Sequence, residues 1–311
     1  MSLTGLQNKE LQMILFGGKG GVGKTCCALA SALFLAKDYK TLVLSTDPAH
    51  SLSDCLDQSI GNQITPVYGI PNLSAIEINA QKVYEEFKAE NQGELKRWFD
   101  SSTNLDEEDI GDLLSLPIPG IDEVMSFKSI VDFVKEGRFD KYIVDTAPTG
   151  HAMRLITSPH LLNNWIKTAA KMRWKYRYMV DSFSGSYSPD ETDDLLLKLK
   201  RTVTGVEKLL RDPQKSQFIP VCIPESMSVM ETNRMIAELG KYNIPIKQLV
   251  VNNIYHSEGC NFCREKKSDQ SKYLEQIEKE HKGRTITYVS KLPGEVKGID
   301  RLSTLKSFII N

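Results

Sequence analysis

The chain of 311 residues contains no stretch approaching the ~18 uninterrupted apolar residues of a membrane-crossing helix. It also lacks a charge excess of either sign, 39 Lys and Arg standing against 40 Asp and Glu. The first absence removes a membrane span from what is expected. The second removes general nucleic-acid binding, because a surface that tracks phosphates shows as a basic surplus. Residues 1–11 hold no apolar leader core, so the expected location is cytoplasmic. Cysteine is sparse, six in all, and only one Cys-x-x-Cys spacing occurs. In a reducing compartment such a pair reads as a metal or redox site rather than as a structural disulfide. Internal repeats and low-complexity tracts are absent as well, which leaves partners to be chosen by shape or by apolar contact.

What is present is an alternation of short β-branched runs with longer helical patterns. Residues 13–16, 41–45, 74–78, 141–144, 218–223, 248–252 and 285–289 read as strands. This predicts an α/β fold with a doubly wound, mostly parallel sheet whose ligand lies beyond the carboxyl ends of the strands. Two helix-patterned, strand-poor stretches interrupt it. Residues 81–137 and 153–211 are expected to form an inserted helical subdomain, leaving 1–80, 138–152 and 212–311 as a nucleotide-binding core. Within the second stretch Leu162, Trp165, Ile166, Ala169, Met172, Tyr176, Met179, Val180 and Phe183 recur at helical steps. Such a stripe suits either packing on its own core or an apolar client surface. Lys167, Lys171, Arg173, Lys175 and Arg177 share the segment and suit a solvated face. Residues 184–190 and 212–216 read as loops.

The strand at 13–16 runs into Gly18, Lys19, Gly20, Gly21, Val22, Gly23, Lys24 and Thr25, followed by an Ala/Leu-rich helical pattern. Glycines here let successive backbone N–H groups converge on one concavity, and the helix N-terminus adds positive potential. This is the pattern of a P-loop NTPase. Lys24 is expected on the β- and γ-phosphates and Thr25 on Mg²⁺. Lys19 is a second ammonium at the loop mouth. It is placed to act on transition-state charge, including in a neighbouring subunit, or it is a solvated lysine.

Asp47 and Asp54 follow the second strand. Asp47 suits support of the Mg²⁺ shell. Asp54 suits orientation of the attacking water, and equally a first-turn helix acid. Asp145 ends the apolar run at 141–144 in the manner of a Walker B carboxylate, with Pro148, Gly150 and His151 beyond it; no chemistry is assigned to His151. A lone Cys260-x-x-Cys263 supplies two of the four ligands of tetrahedral zinc, so a Zn²⁺ ion shared between two chains is the economical completion. A redox pair, unligated thiols and an iron–sulfur cluster stay open at this point.

Read together, residues 18–25, 45–54, 119–123 and 145–151 resemble the arsenical pump-driving ATPase family, with the closer likeness to its tail-anchored-protein targeting branch. Residues 221–225, 251–253, 260–263 and 292–298 extend the resemblance over nearly the whole chain. It implies a homodimeric switch driven by ATP with Mg²⁺, Lys19 reaching the other subunit's nucleotide and Asp54 as catalytic aspartate. It further implies Glu225 and Asn252 as nucleotide-site residues, Asn252 on an adenine edge, and a base-enclosing loop from Pro293 to Asp300. The partners implied are a hydrophobic transmembrane-segment client and a membrane receptor. Against the branch's pattern, 81–116 is short and acidic and 182–190 is polar, which puts the client groove in doubt. An arsenite- or antimonite-stimulated ATPase driving an efflux pump, a redox-responsive holding chaperone and a partitioning ATPase are the competing readings.

Overall fold

The computed structural model describes residues 3, 5–47, 51–94, 121–146, 167, 191–256 and 260–310. The chain divides into two compact units, one of residues 1–78, 132–153 and 209–311, the other of 79–131 and 154–208.

The first unit holds an eight-stranded sheet. Its strands are β1 (Met13–Gly17), β2 (Thr41–Ser45), β3 (Thr65–Pro66), β4 (Leu73–Glu77), β5 (Lys141–Asp145), β6 (Ser216–Cys222), β7 (Gln248–Ile254) and β8 (Thr285–Ser290), in the spatial order β3-β4-β2-β5-β1-β6-β7-β8. Every pairing is parallel except β3 on β4. The expected strands are all present. β3 is an addition: two residues with a proline carry little pattern, and proline is tolerated there because the strand is at the sheet's edge. β6 begins at Ser216, so the expected loop at 212–216 ends one residue early.

Sheet residues alternate between two apolar layers, as the strand period of two demands. Ile14, Phe16, Val43, Ile143, Ile219 and Val250 pack with Leu29 and Leu33 of α1 (Lys24–Leu35) and with Leu302 and Leu305 of the last helix, Gly298–Ile310. Leu249 and Val251 turn the other way, against Ile277. Cover on both faces explains why β1, β2, β5 and β6 are buried at every position. Lys141 is one of the buried polar residues of these strands. Its ammonium lies over the Tyr39 ring, 4.8 Å from the centroid, and donates to the carbonyls of Asn8 (2.5 Å) and Leu11 (2.6 Å), tying the N-terminal segment to β5.

The remaining described helices are α2 (Ser51–Leu56), α3 (Ala80–Glu90), α4 (Ile121–Glu136), α5 (Glu191–Arg211), α6 (Ser226–Lys241) and α7 (Asn261–Glu280), with α8 the final one. The second unit contributes α3 and most of α4 and α5. The apolar stripe from Leu162 to Phe183, its basic residues other than Lys167, the loop at 184–190, and Pro148, Gly150 and His151 lie outside the described residues.

Candidate nucleotide site

Parallel register brings the two phosphate-handling motifs together. Phe16 of β1 and Ser45 of β2 both pair with Asp145 of β5, so the carboxylate stands beside the start of the loop at 18–25. The glycines are required by space and by backbone. A Cβ on Gly18 would lie 2.2 Å from the Val221 carbonyl oxygen, and one on Gly23 would lie 2.3 Å from Asn252 Nδ2, at a φ of +89°. Gly23 is also the N-cap of α1 and supplies no side-chain cap, so the first N–H groups of the helix face the concavity without a competing acceptor from that position.

One ammonium and two hydroxyl groups gather around Asp145. Lys24 is buried and its Nζ reaches the Lys19 carbonyl at 3.3 Å. Burial pushes its pKa down while Asp145 and Asp47 pull it back up. Thr25 Oγ1 donates to Asp145 Oδ2 at 2.7 Å, and Ser51 Oγ donates to the same oxygen at 3.3 Å. Asp145 Oδ1 is buried without a hydrogen-bond partner among the described residues. Burial raises the Asp145 pKa to about 6, partly offset by the Thr25 hydroxyl and by Lys24. A buried carboxylate with an unspent oxygen, next to a hydroxyl, is a donor set suited to a small hard cation.

Asp54 is exposed on α2. The helix is held from outside itself: Glu77, at the end of β4, accepts from the N–H groups of Leu52 and Ser53, both at 3.1 Å, and from Ser53 Oγ at 3.2 Å. Lys19 forms an ion pair with Glu231 of its own chain at 3.6 Å. Asn252 is buried and donates from Nδ2 to the Val22 carbonyl at 2.9 Å. At least one of its donors is thus spent bracing the loop. Glu225 is exposed at the N-cap of α6. Pro293 is exposed in the segment leading to α8, where Leu292, Val296 and Ile299 pack on the core and Lys297 pairs with Asp57 at 2.9 Å.

The architecture and this cradle are those of a nucleotide hydrolase, and comparison with known proteins decides which kind. The family described as anion-transporting ATPase matches residues 11–311. The chain belongs to that family. It is similar to the ATPase ASNA1 homolog 1 of Paramecium tetraurelia, 37% identical over 308 residues, covering 96% of this chain and 92% of that protein. It is also similar to the ATPase get3 of Aspergillus niger, 34% identical over 320 residues with coverage of 98% and 92%. With the ATPase GET3B of Arabidopsis thaliana it shares 34% over 319 residues, covering 95% of this chain and 78% of the relative. The protein is an ATP hydrolase.

Two features of the ATPase were not read from its sequence. Glu77 is an ordinary strand-end carboxylate until the fold sets it against α2. Cys26 on α1 and Cys55 on α2 meet with their sulfurs 3.6 Å apart, although spacing along the chain says nothing of it. Cys260 and Cys263 remain thiols at the start of α7, where Cys260 is the N-cap and its sulfur accepts from the Cys263 N–H at 3.3 Å. That bond holds the Cys260 pKa below its ordinary value. Among the described residues no three His, Cys, Asp or Glu side chains cluster as a metal site. No helix among the described residues is long and apolar enough to cross a membrane.

Proposed function

We propose that this ATPase is a homodimeric, cytoplasmic switch that captures a hydrophobic transmembrane segment of a membrane-protein client in one nucleotide state and releases it at a membrane receptor in the other. The observation that carries this reading is coverage: the likeness to ASNA1 and GET3 ATPases takes in 96% and 98% of this chain, and the family match spans residues 11–311, a range that includes the loop at 18–25, Asp54, Asp145, the cysteine pair and Pro293.

The site residues take these roles. Backbone N–H groups from Gly18 to Thr25 bind the phosphates, and Lys24, whose pKa burial lowers while Asp145 and Asp47 oppose that shift, neutralises the terminal ones. Thr25 and Asp145 would hold Mg²⁺, which would supply charge neutralisation there. Asp54 orients and polarises the attacking water from α2. Lys19 exchanges its partly exposed pairing with Glu231, a long contact of 3.6 Å, for the partner subunit's nucleotide, and ion pairs of that kind near the surface contribute only about 0–1 kcal/mol. Asn252 and Glu225 border the nucleotide, and the segment from Pro293 encloses the base.

The test combines assembly with capture. The full chain is held with ATP or ADP, its mass followed by light scattering, and binding of a transmembrane peptide of about 20 apolar residues measured in each state. Dimers whose peptide affinity changes with nucleotide support the reading. Stimulation of turnover by arsenite with no peptide binding in either state overturns it in favour of a pump-driving ATPase.

A further inference from the structure

We propose that Cys26 and Cys55 are an oxidation site: they close to a reversible disulfide that clamps α2 to α1 and stops ATP hydrolysis. The pair sits where such a bond has consequences. Cys26 follows Thr25, whose hydroxyl is committed to Asp145, and Cys55 follows Asp54. Their sulfurs are 3.6 Å apart, against about 2 Å in a disulfide, so the two carriers must draw together or their side chains rotate. Active-site groups tolerate little of this, since misplacement by about 1 Å costs on the order of a hundredfold in rate.

The chemistry favours oxidation over ion binding. A soft metal ion needs more ligands than two, and among the described residues no third His, Cys, Asp or Glu joins a metal-binding group; the next contact of Cys26 Sγ is the Val296 carbonyl, 4.0 Å away. A disulfide needs only the two sulfurs. Both thiols are half-buried, whereas Cys27 and Cys222 are sealed in the core. Cys26 lies in the first turn of α1, where the helix N-terminus favours an anion, and is the attacking thiolate, with a hydroperoxide as oxidant. Its sulfur takes the terminal peroxide oxygen, the O–O bond breaks, and a sulfenic acid and an alcohol, or water from hydrogen peroxide, result. Cys55 sulfur then attacks the sulfenyl sulfur, and the S–O bond breaks. The departing hydroxide leaves as water with the Cys55 proton. The two sulfurs lose two electrons to the peroxide.

This inference rests on α1 and α2 framing the ATP site, which Asp54→Asn tests separately by retaining nucleotide binding and losing turnover. The experiment treats the full chain with hydrogen peroxide, measures turnover before and after dithiothreitol, and maps linked peptides by mass spectrometry. The expected result is a loss of about tenfold or more, reversed by the reductant, with a Cys26–Cys55 link. Cys55→Ala, and independently Cys26→Ser, should lose less than about twofold under the same treatment. Inhibition without that link, equal inhibition in both variants, or a link that leaves turnover unchanged overturns the proposal.

Discussion

Gly23 is constrained twice, by a left-handed φ of +89° and by the Asn252 amide where its Cβ would be. Gly21 has the similar φ of +78° but open space, so it isolates the backbone cost, about 1–2 kcal/mol for an alanine. Gly23→Ala should be the more destabilised in urea titrations. Combined with Asn252→Ala it should recover on the order of 1 kcal/mol of the difference, because the overlap then disappears while the φ strain stays. Asp54→Asn should bind ATP as the wild type does and turn over about a hundredfold more slowly or worse, checked by equilibrium binding beside phosphate release. Lys141 gives a pH prediction. Burial lowers its pKa from 10.5 to about 8. Between those values the unfolded chain keeps a proton that the folded chain gives up, so the destabilisation is complete below about 8 and stability rises with pH through this window. Lys141→Met should lack that rise in chemical denaturation followed from pH 7.5 to 10.5, while losing the bonds to Asn8 and Leu11 at every pH.

α2 shows how an element is held when it cannot hold itself. At six residues it is far too short to persist alone, and its N-terminal N–H groups are satisfied by the buried Glu77 carboxylate. Glu77→Ala should therefore loosen the helix that carries Asp54 while leaving the bonds of the phosphate loop in place. Turnover should fall by about tenfold or more with ATP affinity changed little, measured on the same preparation. Unchanged turnover would mean that α2 is positioned by its apolar contacts through Leu52 and Leu56. The contrast between β1 and α2 explains what was legible beforehand. β1 and the loop after it are written in adjacent letters, apolar run then glycines, because backbone conformation there is a local matter. The anchoring of α2 by Glu77 depends on β4 and β2 being neighbours in the sheet, and the meeting of Cys26 with Cys55 on β1 and β2 flanking β5, neither of which any local pattern states. Lys19 was legible as a second lysine at the loop, and its pairing with Glu231 of α6 was not. Asn252 was assigned to the base from resemblance alone, whereas its hydrogen bond to Val22 is a tertiary fact.

At the scale of the whole molecule the open question is how many chains make one working unit, and the start of α7 bears on it. Cys260 is exposed and Cys263 partly so, and the Cys263 N–H already favours the Cys260 thiolate, the form that binds metal. Two thiolates would leave tetrahedral zinc half-coordinated, and in the proposed dimer a twofold axis through the ion would supply the other half with the same two residues. Stoichiometry separates this from the alternatives. A shared ion requires one zinc per two chains, a redox pair requires none, and a site completed within one chain requires one each. We expect one per two in metal analysis of the purified protein. Cys263→Ser should lose the metal and shift the dimer toward monomer on dilution, yet still bind ATP, because the hydrogen bonds that shape the phosphate loop come from Asp145, Asn252 and the loop itself. If the variant stays dimeric at concentrations where the wild type does, the cysteine pair is not what joins the subunits, and the exposed surface of α6 bearing Met227 and Met230 becomes the face to mutate next.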